Sequence, residues 1–216
     1  MLITGIIVIL YLPIYHCDIM ADVIIDVSSS QGIEERISYA VDKHIPVIVC
    51  STGMSDSQIA YITEASKKVA VLKSANMSLG INLLMKLVKE AAKRLADNGF
   101  DIEIIEKHHN QKLDAPSGTA IALADSINEE FGGRYEYIYD RSQTRQIRGK
   151  DELGISAVRG GTITGTHDVI FAGTDEVITL SHMAYSRAVF AKGSVVAAKF
   201  MKGKEAGYYD MADVLM

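Results

Sequence analysis

Short unbroken apolar runs alternate with amphipathic stretches along the first part of the chain. Val23–Val27, "VIIDV", runs into a serine-rich turn and predicts a buried strand. From Gly32 to Asp42 the apolar positions Ile33, Ile37 and Ala40 or Val41 recur at helical spacing. "IPVIVCSTG" (Ile45–Gly53) predicts a second strand ending in a small-residue loop. "SDSQIAYITEASKK" opens on capping residues and predicts a helix from about Ser55. "VAVLKSANMS" predicts a third strand with a polar end. Strand alternating with helix is the pattern of a parallel α/β sheet, and continuous apolar runs suit strands covered on both faces.

The pattern then changes. "INLLMKLVKEAAKRLADNG" predicts a long helix, with Ile81, Leu84, Leu87, Val88, Ala91 or Ala92 and Leu95 on its apolar side and Asn98-Gly99 as its stop. "DIEIIEKHH" alternates weakly, as a strand does. "PSGTAIALADSINEEFGG" predicts a helix with Ser117 as N-cap and Gly132-Gly133 as its end. Tyr135 to Leu153 is polar and arginine-bearing, the profile of a surface excursion. "GISAVRGG", "TITGTHDVIFAG" and "DEVITLSHMA" predict strands, and the short glycine-rich turns between them predict antiparallel pairing. A helix from about Arg187 to Lys202 follows. The expected fold class is α/β. Residues 1–77 and 188–216 would form an incomplete Rossmann-like parallel sheet domain. Residues 78–187 would form an α+β domain with a mixed or antiparallel sheet.

Composition narrows the function. Hydrophobic residues at 48% and charged residues at 23% allow a sizeable core, and the net charge of -5 gives no electrostatic support to a nucleic-acid partner. The two cysteines, Cys17 and Cys50, have neither CxxC nor zinc-ligand spacing, which fits a reducing, cytoplasmic setting. The opening "MLITGIIVILYLPIYHC" is apolar but shorter than the ~20 residues of a membrane span. It also lacks a basic leader region, since no Lys or Arg precedes Arg36. A buried strand or a poorly matched start of the chain is expected there, and no membrane partner.

The densest chemistry lies in "EKHHNQKLDAPSGT", Glu106 to Thr119. His108 and His109 are adjacent at a strand end, so their side chains should point to opposite faces. That disfavours shared ligation of one metal, and no HExxH motif exists. A metal-dependent hydrolase using these two with His167 and His182 therefore has little support, and no metal is expected. Lys112 precedes Ser117, Gly118 and Thr119, where a helix begins. Unpaired N–H groups and the positive end of the helix dipole, beside an ammonium, make an anion site. A neighbouring histidine can give or take a proton near neutral pH. These residues either bind an acid and move a proton, or form a loop whose histidines and Ser117 cap local backbone. Spacing leaves both open.

"EIIEKHHNQKLDAPSGTA" resembles the signature of the dihydrodipicolinate reductase family, whose pattern is E-x-H-H-x-x-K-x-D-x-P-S-G-T-A. "VIIDVSSS", "STGMS", "ANMSLGINLL", the "VRGGTITGTHDVIF…SHMAYSRAVFAKG" region and "GYYDMADVL" are similar to further family segments in the same order. The resemblance implies an NAD(P)H-dependent reduction of 4-hydroxy-tetrahydrodipicolinate, a small cyclic dicarboxylate, in lysine and diaminopimelate biosynthesis, by a homotetramer. It implies that His108 is the general acid/base and Lys112 the proton donor and anion partner. His109, Gly118, Thr119 and Arg187 would bind substrate. His167 and His182, on sheet strands, are expected to be structural and to make satisfied hydrogen bonds.

For the cofactor, the resemblance implies contacts from Cys50, Ser51, Thr52 and Gly53, and from Ala75, Asn76, Met77 and Ser78. Cys50 stands where the family has glycine, which would narrow the approach to the nicotinamide ribose. The family also has a G-x-x-G-x-M-G loop, its helix and a ribose-selecting strand before "VIIDV". The 22 residues before Val23 contain one glycine, Gly5, and cannot hold all three. Weakened binding of NADH or NADPH is therefore expected, with the preference between them open. A catalytically impaired remnant that keeps the dicarboxylate-binding, oligomerising domain is the alternative.

Overall fold

The structure, a computed structural model, describes Ile6, Ile7, Ile14 and residues 20–216. The chain divides into two compact units, one formed by residues up to Leu79 together with Phe190–Met216, the other by Gly80–Val189.

The first unit holds a five-stranded parallel sheet: β1 (Ile6–Ile7), β2 (Val23–Asp26), β3 (Val47–Val49), β4 (Ala70–Lys73) and β10 (Gly207–Tyr209), in that spatial order. The apolar opening segment thus contributes a strand beside β2 and the buried Ile14, while the rest of it, Cys17 included, lies outside the described residues. Period-two alternation assigns each strand residue to a face. Ile24, Val47, Val49 and Val71 pack with Ile33, Ile37 and Ala40 of α1 (Ile33–Lys43) and Ile62 and Ala65 of α2 (Asp56–Ser66). Val23, Ile25, Ile48, Ala70 and Leu72 pack on the other face with Met77 and with Ala197, Ala198 and Met201 of α5 (Ala188–Met201). Both faces are covered, which is why the runs have no polar interruptions. Helix α2 starts on a full capping box, Ser55 accepting from the Gln58 N–H and the Gln58 side chain accepting from the Ser55 N–H.

The second unit is built on a mixed sheet with the order β6-β7-β5-β8-β9. Its strands are β5 (Asp101–His108), β6 (Glu136–Ile138), β7 (Glu152–Arg159), β8 (Gly165–Ala172) and β9 (Val177–Ala184). Two expectations are corrected. The strand from "GISAVRGG", β7, runs parallel to β5 and to β6, and only β8 and β9 form an antiparallel hairpin. Strand β5 lies between β7 and β8, so the glycine-rich connection from β7 to β8 crosses over it instead of folding back as a hairpin. The polar excursion is also not all loop: it supplies β6, and Arg148 ties it to the sheet through Asp101 and Glu103 at 2.7 and 2.9 Å.

One sheet face carries the core. Ile102 and Ile104 of β5, Leu153 and Ile155 of β7, and Val169 and Phe171 of β8 pack on α3 (Leu79–Leu95) and α4 (Gly118–Glu130). Continued along β5, that face reaches Glu106 and His108, both buried. The apolar face therefore ends in a polar, buried corner. Among the described residues no helix is long and apolar enough to cross a membrane.

Gly193 sets the closest approach in the first unit, since a Cβ there would lie 1.7 Å from the Met77 carbonyl oxygen. A backbone carbonyl held by the chain cannot swing aside as a side-chain tip can. Gly193→Ala is expected to lower stability by about 1–3 kcal/mol, read as a lower urea midpoint with unchanged slope.

Candidate active site

Strand β5 carries Glu106 and His108 on one face because they are two residues apart. Glu106 has 0% exposure and accepts four hydrogen bonds. Its Oε2 lies 2.6 Å from His108 Nδ1 and accepts Arg159 Nη1 at 2.7 Å. Its Oε1 accepts Arg159 Nη2 at 2.7 Å and the Ser117 N–H at 2.9 Å. Burial alone would raise the Glu106 pKa, but Arg159, His108 and the Ser117 N–H together hold the carboxyl below its ordinary value. Arg159 reaches it because β7 pairs in parallel with β5 and sets Arg159 opposite His108. The same guanidinium donates to the Asp114 carbonyl at 2.6 Å, holding the loop that leads to α4.

Ser117 is the N-cap of α4, its hydroxyl accepting the Ala120 N–H at 3.2 Å. That hydroxyl also lies 3.0 Å from His167 Nε2. Strand β8 places His167 opposite Glu106, and its ring meets that of His108 edge-on at 5.2 Å between centroids. Burial first, then His108, pushes the His167 imidazole down from 6.5 to about 4, so it is neutral near pH 7.

Lys112 donates to Asp114 Oδ1 at 2.7 Å, and Lys112 lowers the Asp114 pKa. Lys112 is also close enough to disfavour protonation of His167. His109, the first residue beyond β5, is half-buried, and its carbonyl accepts the Lys112 N–H at 3.2 Å. Gly118 opens α4 and is exposed, and Thr119 is half-buried beside it. One strand, one loop and one helix start thus gather His108, His109, Lys112, Ser117, Gly118 and Thr119. Arg187 stands apart from this hydrogen-bonded group, exposed in the turn between β9 and α5. His182 lies on β9, as expected of a strand residue, opposite His167, whose buried Nδ1 has no hydrogen-bond partner among the described residues.

Sequence reasoning missed Glu106 and Arg159 as parts of this corner. The signal for Glu106 was present, since a residue two before His108 on a strand shares its face. Nothing local marked Arg159, which reaches Glu106 across a parallel pairing.

In the first unit, the expected cofactor segments follow the carboxyl ends of β3 and β4, where ligands bind parallel sheets. Cys50 is a half-buried free thiol with Sγ 3.9 Å from Ser194 Oγ, pushed up to about 11 chiefly by burial. Ser51 is buried, and its hydroxyl has no hydrogen-bond partner among the described residues. Thr52 and Gly53 are exposed, Gly53 with φ 70°. After β4, the Ser78 N–H donates to Asn76 Oδ1 at 2.9 Å, and the Ser74 hydroxyl donates to the Asn76 carbonyl at 2.8 Å. Met77 is buried, and Ala75 is exposed.

Comparison with known proteins gives one consistent result. Residues 5–77 match the model described as dihydrodipicolinate reductase, N-terminus, and residues 80–215 the model described as dihydrodipicolinate reductase, C-terminus. The chain is 53% identical over 195 residues to 4-hydroxy-tetrahydrodipicolinate reductase of Caldanaerobacter subterraneus, covering 90% of this chain and 77% of that protein. It is 49% identical over 197 residues to the protein of the same name from Methanosarcina mazei, covering 90% and 73%. It is also similar to the solved dipicolinate-bound dihydrodipicolinate reductase from Paenisporosarcina sp. TG-14, with TM-score 0.72 and 26% identity over 88% of this chain and 72% of that one.

The depressed His167 pKa makes a stability prediction. Above 6.5 the ring is neutral folded or unfolded; as pH falls towards about 4 only the unfolded chain takes up the proton. Stability is therefore full above this window and lost as pH drops through it. Going from about pH 7 to about pH 5 should cost on the order of 1–2 kcal/mol in urea unfolding, and His167→Gln should remove most of that slope.

Proposed function

This chain belongs to the dihydrodipicolinate reductase family, and from that premise we propose that it reduces 4-hydroxy-tetrahydrodipicolinate to tetrahydrodipicolinate in lysine and diaminopimelate biosynthesis. A hydride and a proton enter, and water leaves. The observation that carries the reading is the sharing of Glu106: one buried carboxylate holds both the His108 ring and the N-terminus of α4. A proton-handling group and an anion-binding helix start are thereby kept side by side, as a dicarboxylate substrate requires.

The chain's own residues have the following roles. Gly118 and Thr119 bind a substrate carboxylate through N–H and hydroxyl donors at the positive end of α4. His109 and Arg187 add cationic or N–H partners for the carboxylates. Lys112 exchanges its exposed partner Asp114 for substrate and delivers a proton; His108 acts as general acid/base at its Nε2. When bound, the reduced nicotinamide supplies the hydride.

The residues fit that group at the nicotinamide-bearing end. Ser51 offers a buried hydroxyl without a partner, and Thr52, Gly53, Ala75, Asn76, Met77 and Ser78 line loops at the carboxyl ends of adjacent parallel strands. Cys50 begins the first loop, where its side chain takes space a glycine would leave. For the diphosphate the fit is poorer, because residues 8–22, between β1 and β2, include no glycine for close backbone approach. Weakened binding of NADH and NADPH follows. The exposed apolar side chains Val177, Ile178 and Met183 on β9 support the homotetramer that the resemblance implies.

Two measurements test this. Lys112→Ala, assayed with saturating nucleotide by nicotinamide absorbance, is expected to lower kcat by about 10²-fold or more with an unchanged circular dichroism spectrum. A full rate in that variant refutes the assignment. In calorimetric titration, NADH and NADPH are expected to bind with Kd weaker than roughly 100 μM, and Kd near 1 μM for either refutes the weakened site.

A further inference from the structure

We propose that Glu106 and Arg159 are positioning residues for His108, fixing its imidazole with the proton on Nδ1 and leaving Nε2 to face the substrate. The kinetic consequence rests on the proposed reductase function; the tautomer does not.

The geometry is restrictive. An ionised carboxylate only accepts hydrogen bonds, so the 2.6 Å contact to His108 requires that Nδ1 carry the proton. The other three hydrogen bonds to Glu106 come from Arg159 and the Ser117 N–H, and these leave the carboxylate no freedom to turn away. The Arg159 fork is bidentate, which fixes the carboxylate plane as well as its charge. The strand pairing adds a second constraint, because the Gly160 N–H donates to the His108 carbonyl at 2.9 Å. With Nδ1 committed, Nε2 is the ring's acceptor in the neutral form. Gly165 lies beside it, and a Cβ there would be 3.0 Å from Nε2. The absence of a side chain at that position leaves the working nitrogen open.

Glu106 differs from an ordinary buried ion-pair partner in what else it holds. Its Oε1 takes the N–H of the residue that caps α4, whose first turn carries Gly118 and Thr119. A change at Glu106 should therefore misalign proton transfer more than it weakens carboxylate binding. Ser117 keeps a second anchor, since its hydroxyl still caps α4 through Ala120. His108 has no such second side-chain partner among the described hydrogen bonds.

The test begins with the unaltered protein. Long-range ¹⁵N–¹H NMR, followed upward in pH until the His108 signals no longer change, reads the tautomer of the neutral ring directly. The proton is expected on His108 Nδ1; finding it on Nε2 overturns the proposal whatever the activity. Glu106→Gln offers one acceptor oxygen to four donors and should give a mixture of His108 tautomers. Its kcat should fall about 10²-fold while KM for the dicarboxylate stays within about 3-fold. An unchanged kcat, in a protein whose Lys112→Ala variant is impaired, overturns the positioning role. If Lys112→Ala is also fully active, the reductase reading fails and the spectrum alone decides the tautomer. Should Glu106→Gln not fold, Arg159→Gln keeps the carboxylate and removes its clamp. It is expected to show the same split between kcat and KM, and an unchanged kcat there counts against the proposal in the same way.

Discussion

The second unit depends on one constraint: a carboxylate with no exposure must have every lone pair satisfied. Glu106 meets it with four hydrogen bonds from three directions, a histidine ring, a guanidinium and a helix N-terminus. Leaving a buried charge without partners costs several kcal/mol, so the elements that bring those partners cannot shift independently. Strand β7 must present Arg159, α4 must start at Ser117, and β5 must end at His108. The corner proposed to hold the chemistry is thus the corner where three elements are locked together.

The strand order makes this possible. A hairpin of β7 and β8, as their short connection suggests, would put only one of the two beside β5. Parallel pairing of β7 with β5 sets Arg159 opposite His108, while β8 on the other side of β5 sets His167 opposite Glu106. Glu106 therefore has a permanent cation on one flank and a neutral imidazole on the other. Burial keeps His167 neutral, while His108 is in direct contact with the carboxylate.

The first unit follows a simpler logic. Alternation along β2, β3 and β4 distributes side chains between two helix-covered faces, and polar residues enter only at the strand ends, as Asp26 does in β2 and Lys73 in β4. Ser51 is the exception, buried yet without a partner among the described residues. A buried hydroxyl in that state favours a ligand that can pair with it. The close approach of Gly193 to the Met77 carbonyl holds the neighbouring loop against α5, beside the packing of the buried Met77 side chain.

Much of the molecule was determined by the sequence alone. Unbroken apolar runs marked the two-faced parallel strands, Ser55 and Ser117 marked helix starts, and the spacing of His108, Lys112 and Ser117 left two readings, an anion site beside an imidazole or a locally capped loop. These are local properties, fixed by residues a few positions apart along one element. Tertiary structure decided which strands pair and in which direction, and with that the partners of Glu106. Glu106 and Arg159 are 53 residues apart, and no periodicity in either segment refers to the other. Their meeting depends on which edge of β5 each later strand takes, a choice governed by packing of the whole sheet against α3 and α4. The sequence determined that a histidine would stand at the end of β5. Only the folded sheet decided which nitrogen of that histidine is held and which is left free.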